Sequence, residues 1–303
     1  MNTNTPFVFI FSSERSGSNL LSSIIGNHST CSFCSPTHLF RLLYLQSEKY
    51  DDSAKLHEDT KAIFDVKLGV WNGNVKEFSG ESIGEVLTNL YHSDSNKTAI
   101  IKELHPWRYL KKVNCDFPKS KIIYLVRDPR DVFISISSLP NLQTEAKEFG
   151  SVWRLEQKKS LKVFDDLGVD YVLVKYEELL RNPLDELVRI TNYLEIEMEN
   201  GMLDYYSSLT TKNQAKQLTA WGNIDKPLLS NNFNKFYRYL TVRQVREIEE
   251  ITADELVKFG YEKADIQHFV KNPLPIKVCT YSDKELLHRE EREKVISRIF
   301  SVI

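Results

Sequence analysis

Residues 7–25 read FVFIFSSERSGSNLLSSII. Five apolar residues, three of them phenylalanine, give way to four serines, an arginine and a glycine, and then to apolar pairs at helical spacing. A short unbroken apolar run of this kind suits a strand buried on both faces, as in parallel sheets. The polar insert therefore falls where a strand yields to a helix. Successive backbone N–H groups at a helix N-terminus, aided by the helix dipole, form an anion site. Gly17 lets the backbone approach closely, Ser16 and Ser18 add hydroxyl donors, and Arg15 supplies a fork of donors matched to phosphate or sulfate oxygens. By itself the stretch also fits a tight turn with incidental serines. The pattern GxxxxGK[ST] is absent, which disfavours an ordinary ATPase or kinase.

Further apolar runs mark strands over 63–66, 99–102, 121–126 and 171–174, besides 7–11. Helical spacing occupies 18–26, 82–91, 131–138, 149–167 and 184–194. Alternation of this kind predicts an α/β chain with a central parallel β-sheet flanked by helices, a P-loop-like three-layer fold. Ligands in such folds lie at the carboxyl ends of strands. Those ends carry residues 12–18, 102–105 and 127–131, all polar or charged. In the last, KIIYLVRDPRDVFISISSL (121–139), Asp128 is placed as an N-cap and Pro129 as the first helical residue. Ser135 follows Arg127 by eight residues, about two turns into the helix, so the two can converge on one phosphate. Pairing of Arg127 with Asp128 or Asp131 is the alternative.

Together, SSERSGSNLL and KIIYLVRDPRDVFISISSL closely resemble the two nucleotide-binding signatures of sulfotransferases that use 3′-phosphoadenosine-5′-phosphosulfate (PAPS). The resemblance implies that Arg15, Ser16, Gly17, Ser18 and Asn19 cradle the 5′-phosphosulfate, and that Arg127 and Ser135 hold the 3′-phosphate. VDYVLVKYEELLRNPLDELVRITNYLEI (169–196) resembles the family's later strand and helix, and KPLLSNNFNKFYRYLTVRQVREIEEI (226–251) its nucleotide-closing region. Within the latter, Lys226, Lys235 and Arg238 are candidates for the missing Arg-Lys-Gly of the cytosolic phenol and steroid branch. The likeness is nearer to the broad bacterial and Golgi-type branches and runs to Glu262, which sets a sulfotransferase domain over 1–262 and a C-terminal helical extension over 263–303.

The family transfers sulfonate from PAPS to an acceptor hydroxyl, releasing PAP, without a metal. Arg15 and then Lys102 are the expected stabilisers of the leaving oxygen. Related enzymes take the acceptor's proton with a Glu after the first helix or a His after the third strand. Here the first place, CSFCSPTHLFRLL (31–43), has no acidic residue and offers His38; the second, IIKELHPWRYL (100–110), offers Glu103 and His105. His38 ranks first, because His105 stands one residue beyond the family position and a single step along extended chain reverses side-chain direction. Trp221 is a candidate cover for the adenine. Tyr176 and Glu177 read as residues fixing a turn, Trp153 as packing, and Asp65 and Lys67 as flanks of a core strand rather than acceptor contacts.

Remaining features set bounds. A net charge of −2 argues against nucleic-acid binding, and no stretch has the length of a membrane span. The apolar start lacks a basic region and reads as the first strand rather than a signal peptide. Cys31 and Cys34 form a CxxC without a second ligand pair, so redox or zinc chemistry is disfavoured, as is a disulfide framework. A cytoplasmic location follows as the expectation. The tail SDKELLHREEREKVISRIF (282–300) reads as a helix with Ile296, Ile299, Phe300 and Ile303 on one side, packed on the domain or in a homodimer contact. The acceptor is expected to be a carbohydrate, a lipid-linked molecule or another small metabolite. The rivals are a P-loop-type phosphotransferase and a non-catalytic nucleotide-binding protein on the same fold.

Overall fold

The computed structural model describes residues 7–33, 97–140, 142–216, 221–281 and the single positions 285, 286, 290 and 294. Five strands form one sheet, all neighbours parallel: β1 (Phe7–Ser12), β2 (Cys31–Phe33), β3 (Thr98–Leu104), β4 (Lys121–Val126) and β5 (Val172–Lys175). Their order is β2-β3-β1-β4-β5. The expected strand at 63–66 and helix at 82–91 lie outside the described residues, as do His38, Asp65 and Lys67.

Alternation along the central strands sorts side chains to two cores. Phe7, Phe9 and Phe11 of β1 and Ile122, Tyr124 and Val126 of β4 face one side. There they meet α2 (Pro106–Asp116), α3 (Pro129–Ser137), α4 (Ala146–Leu167) and, further along the chain, α9 (Val242–Ile251). Val8, Ile10, Ile123 and Leu125 face the other, against α1 (Ser18–Gly26), α5 (Tyr176–Arg181) and α6 (Pro183–Leu194). Both faces of β1 are thus buried, which is why its sequence is apolar at every position rather than at alternate ones. Each such side chain contributes about 1.5–3 kcal/mol by leaving water.

Helix boundaries follow local chemistry. Asp128 caps α3, its carboxylate accepting from the Arg130 N–H, and Pro129 and Pro183 occupy first helical positions where no N–H is needed. Helix α2 was not among the expected elements; its apolar positions Tyr109, Leu110 and Val113 form a narrow stripe within a basic segment. The short helices α7 (Leu209–Ala215), α8 (Phe236–Tyr239) and α10 (Ala253–Lys258) complete the described set. Cys31 is buried on β2, and burial pushes its thiol up to about 11, so the thiolate that redox chemistry needs is disfavoured. Its CxxC partner Cys34 lies outside the described residues.

The chain winds outward from β1 to β3 on one side and to β4 on the other. A crevice opens at such a switch point, outside the carboxyl ends of the strands. The loops after β1, β3 and β4 meet there. Just behind the crevice, Glu177 accepts from the Asp128 N–H at 2.9 Å and from the Tyr261 hydroxyl at 2.9 Å. Burial first, and the nearby Asp128 charge second, push the Glu177 carboxyl up to about 7. Because the folded state holds this proton to higher pH than the unfolded chain does, Glu177 favours folding below about pH 4.5 and loses that contribution as pH rises to about 7. Glu177→Gln should therefore gain stability relative to the parent across this window, by on the order of 3 kcal/mol at its upper end. Urea unfolding at pH 4.5, 5.5 and 7.5 checks it; a difference independent of pH would contradict the assignment.

Candidate active site

Residue Gly17 precedes α1 with φ of +95°, a conformation open to glycine and costly for other residues. A Cβ there would stand 2.4 Å from Cδ2 of Tyr176, so the position excludes a side chain on two grounds. The loop backbone thus packs directly against the Tyr176 ring. The first four N–H groups of a helix have no intrahelical partner. Arg15, with φ of +61°, reaches across the crevice, its Nε donating to Ser135 Oγ at 3.1 Å. A residue of the first loop and a residue two turns into α3, 120 positions apart, are thereby joined.

Arg127 closes the same corner. Its two terminal nitrogens donate to the Arg15 carbonyl at 3.1 Å and the Asn232 carbonyl at 3.2 Å, and its guanidinium stacks 4.3 Å from the centre of the Tyr176 ring. Asn232 Nδ2 donates to the Tyr176 hydroxyl at 2.7 Å. Arg127 is only 5% exposed, and its Nε has no partner among the described residues. A buried guanidinium with a donor unspent is costly unless an acceptor arrives.

These groups line a cavity of about 660 Å³. Gly17, Ser18 and Asn19 form its floor beside Arg15; Lys102 enters from the end of β3, Ser135 from α3, and Lys235 and Trp221 from the C-terminal part of the chain. Among the described residues its charged side chains are Arg15, Lys102, Arg127, Lys235 and Lys277 against Glu14 alone. That surplus of four positive charges stands in a chain whose net charge is −2. The cations oppose one another: burial, then the Arg127 charge, holds both Arg15 and Lys235 below their ordinary values. A multiply charged anion in the cavity reverses that repulsion. Asp131, packed beneath, opposes part of that repulsion at Lys235, although burial and then the Asp128 charge push its carboxyl up to about 6.

Several expected residues fall elsewhere. Ser16 is fully buried with its Oγ 2.9 Å from Ser13 Oγ, so its hydroxyl braces the loop from within and does not line the cavity. Lys226 is exposed and donates to Asn223 Oδ1 at 2.9 Å, and Arg238 is exposed; neither lines the cavity. Their helical and turn registers turn them outward while Lys235, at the start of α8, faces in. His105 adopts φ of +62° before α2, and its Nδ1 lies 2.7 Å from Glu156 Oε1 on α4. It stands outside the lining, as does Glu103, which alternates with Lys102 on β3 and is buried on the opposite face.

Tyr176, Asn232 and the segment Pro275–Cys279 line the cavity without having been expected there. Tyr176 reads locally as a turn residue, and nothing in its neighbourhood signals that Gly17 will pack on its ring. Asn232 lies inside a segment whose family resemblance was noted for its lysines and arginine. Among the described residues no cluster of three or more His, Cys, Asp or Glu is placed to hold a metal ion, and no helix is long and apolar enough to cross a membrane.

A model of the Sulfotransferase family matches residues 6–200. A putative protein-tyrosine sulfotransferase of Caenorhabditis briggsae is 25% identical over 174 residues, covering 50% of this chain and 62% of that protein. Carbohydrate sulfotransferase 1 of Danio rerio is 29% identical over 115 residues, covering 31% of this chain and 27% of that protein. The chain thus spans about three fifths or less of these relatives. Among solved structures, the sulfotransferase domain of the Synechococcus PCC 7002 olefin synthase superposes with a TM-score of 0.60 at 21% identity, over 85% of this chain and 95% of that one. The sulfotransferase domain from the curacin biosynthetic pathway does so with 0.56 at 18%, over 86% and 99%. At these identities the structural matches establish the fold, and the sequence match over residues 6–200 establishes the kinship: the chain belongs to the Sulfotransferase family.

Proposed function

We propose that this chain transfers sulfonate from PAPS to a hydroxyl of a carbohydrate, lipid-linked or other small-molecule acceptor, releasing PAP. The observation that carries the reading is the joining of two strand ends into one cation-lined cavity, with Arg15 of the first loop bonded to Ser135 and Arg127 bonded to the Arg15 backbone. A nucleotide phosphorylated at both ribose ends fits it in charge and in extent. Bound PAPS would supply an SO₃ group already activated on a phosphate oxygen.

The chain's own residues then have separable tasks. The α1 amides and Gly17 receive the 5′ end, where the helix dipole favours negative charge. Arg127 and Ser135 receive the 3′-phosphate. Lys102, entering from the neighbouring strand, and Arg15 stabilise charge that develops on the departing oxygen. Trp221 offers a flat apolar face for the base. Proton removal from the acceptor is assigned to His38 ahead of His105 and Glu103, neither of which lines the cavity.

Calorimetry with PAP and with AMP tests the donor site, since the two differ only in the 3′-phosphate. PAP should bind at least 10-fold more tightly, on the scale of one charged hydrogen-bonded group. Equal affinities would overturn the reading. Transfer of ³⁵S from labelled PAPS to a panel of glycans, lipid-linked sugars and tyrosine peptides then identifies the acceptor class.

A further inference from the structure

The cations of this chain are not confined to the cavity. Helices α2 and α4 pack side by side on one face of the sheet. Arg108 and Lys111 project from the first, and Lys158 and Lys159 from the second. All four are exposed, and none makes an ion pair among the described residues. Lys162, one turn further along α4, is by contrast paired with Asp166 at 2.7 Å. Like charges on adjoining turns repel, so an unpaired group of this kind favours the arrival of an anion.

Two of these cations are held in place by one ring. The Arg108 guanidinium lies 4.7 Å from the centre of the Trp107 indole, and the Lys159 ammonium lies 4.4 Å from it. The indole is itself fixed, its Nε1 donating to Glu156 Oε2 at 2.9 Å, while Glu156 Oε1 lies 2.7 Å from His105 Nδ1. The nearby carboxylate is thus spent on His105 and Trp107 and leaves the two cations to the ring. Cation–π contact restrains two long side chains in advance, so less freedom is lost when a ligand binds. Exposed Leu155, one turn before Lys159, adds an apolar edge. The cluster adjoins the cavity: Leu104 lines it, and Trp107 follows by three residues, at most about 10 Å of chain. His105 N–H donates to the Ser12 carbonyl at 3.1 Å, which ties this corner to the end of β1.

We propose that Trp107, Arg108 and Lys159 form an acceptor-binding surface outside the donor cavity, taking a sulfate or carboxylate of an anionic carbohydrate chain whose reacting hydroxyl enters the cavity. It rests on the sulfonate-transfer reading above and narrows the acceptor to a charged polysaccharide. Charge complementarity selects an anion: two preset cations carry no protein countercharge, and Lys111 and Lys158 continue the group along both helices. The helices select its kind. Their backbone N–H and C=O groups are engaged within each helix, so this surface offers side-chain donors and apolar carbon alone. An extended peptide that adds to a sheet edge is held through its backbone, which these helix surfaces cannot pair. A sugar chain needs only cations for its pendant anions and an apolar edge such as Leu155 for its ring carbons.

Calorimetry with a chondroitin sulfate oligosaccharide tests the surface, with PAP kept saturating so that the cavity cations are occupied. The parent should bind this glycan more tightly than its desulfated, carboxyl-reduced form. Arg108→Ala/Lys159→Ala should weaken the charged glycan by roughly 3- to 10-fold and leave PAP affinity within twofold. Glu156→Gln removes the adjacent negative charge and keeps an acceptor for the Trp107 indole, so it should tighten the glycan by about twofold. A parent that does not distinguish the charged glycan from the neutral one overturns the surface, as does a double variant that binds like the parent. An acidic tyrosine peptide that binds as tightly through the same two residues overturns the carbohydrate assignment. Failure of the donor site is read separately, from equal PAP and AMP affinities in the parent, whatever the glycan titration gives.

Discussion

Arg127→Ala should weaken PAP binding by roughly 10- to 150-fold, about 1.5–3 kcal/mol, while AMP affinity changes little. The size follows from what the side chain is. It is a permanent cation, 5% exposed, held by two backbone carbonyls and a tyrosine ring so that little rotamer freedom remains to be lost on binding. Nε remains unspent among the described residues. Lysine at this position keeps the charge but can satisfy neither the pair of carbonyls nor the ring contact in the same way, so Arg127→Lys should recover only part of the affinity. Calorimetry at low and moderate salt checks both variants. Affinity of Arg127→Ala within twofold of the parent would remove Arg127 from the phosphate site.

Arg130→Ala has its large effect on stability instead. Three residues along from Arg127, this guanidinium is 4% exposed and is spent entirely within the protein. Nε and Nη2 donate to the Asp128 carboxylate, at 2.9 and 2.6 Å, and Nη1 donates to Glu249 Oε1 at 2.6 Å and to the Glu262 carbonyl at 3.0 Å. Its face lies 4.3 Å from the centre of the Phe236 ring. The two carboxylates in turn hold backbone: Asp128 caps α3, and Glu249 accepts from the Ala264 N–H. Removing the arginine leaves the buried Asp128 carboxylate without its countercharge and Glu249 with Arg246 at 3.4 Å in place of two cations, a change that costs about 3–5 kcal/mol. Urea unfolding at neutral pH should show a loss of that size, and Arg130→Ala/Glu249→Gln should recover a part of it. A loss under about 1 kcal/mol would mean the network contributes little. The two arginines of one RDPR segment thus diverge completely, one facing a ligand cavity and one locking the C-terminal region to the sheet.

That divergence marks where local reading stops. RDPR announces a strand end, a cap and a helix start, because capping and the fixed φ of proline act over three or four residues. It does not say which arginine faces the cavity, since that depends on Glu249 arriving from 119 residues away. His105 is a similar case: its spacing after Lys102 placed it one step off, and the structure turns it to Glu156 on a helix that the local sequence cannot see. Ser16 looked like one more donor in a serine-rich loop, yet it is the internal brace against Ser13. Residues 263–281 were expected within a helical extension, yet they hold only the 3₁₀ turn Ile266–His268, because Pro273 and Pro275 bar a helix, and backbone hydrogen bonds to distant carbonyls set their course past the cavity. The amphipathic helix expected over 282–300 falls outside the described residues apart from four positions.

By itself the sequence determined the parallel α/β architecture, the strand ends that carry charge, and the family, since burial on both faces leaves unbroken apolar runs and phosphate-binding turns need glycine, serine and arginine at close spacing. Only the tertiary structure decided that Arg15 meets Ser135, that Tyr176 floors Gly17, and that Lys277 joins the cavity. The reason is one of range. Periodicity and capping act within a few residues and so leave a trace in the local sequence, whereas a charge cluster gathered from five separate segments has no local signature until the fold brings those segments together.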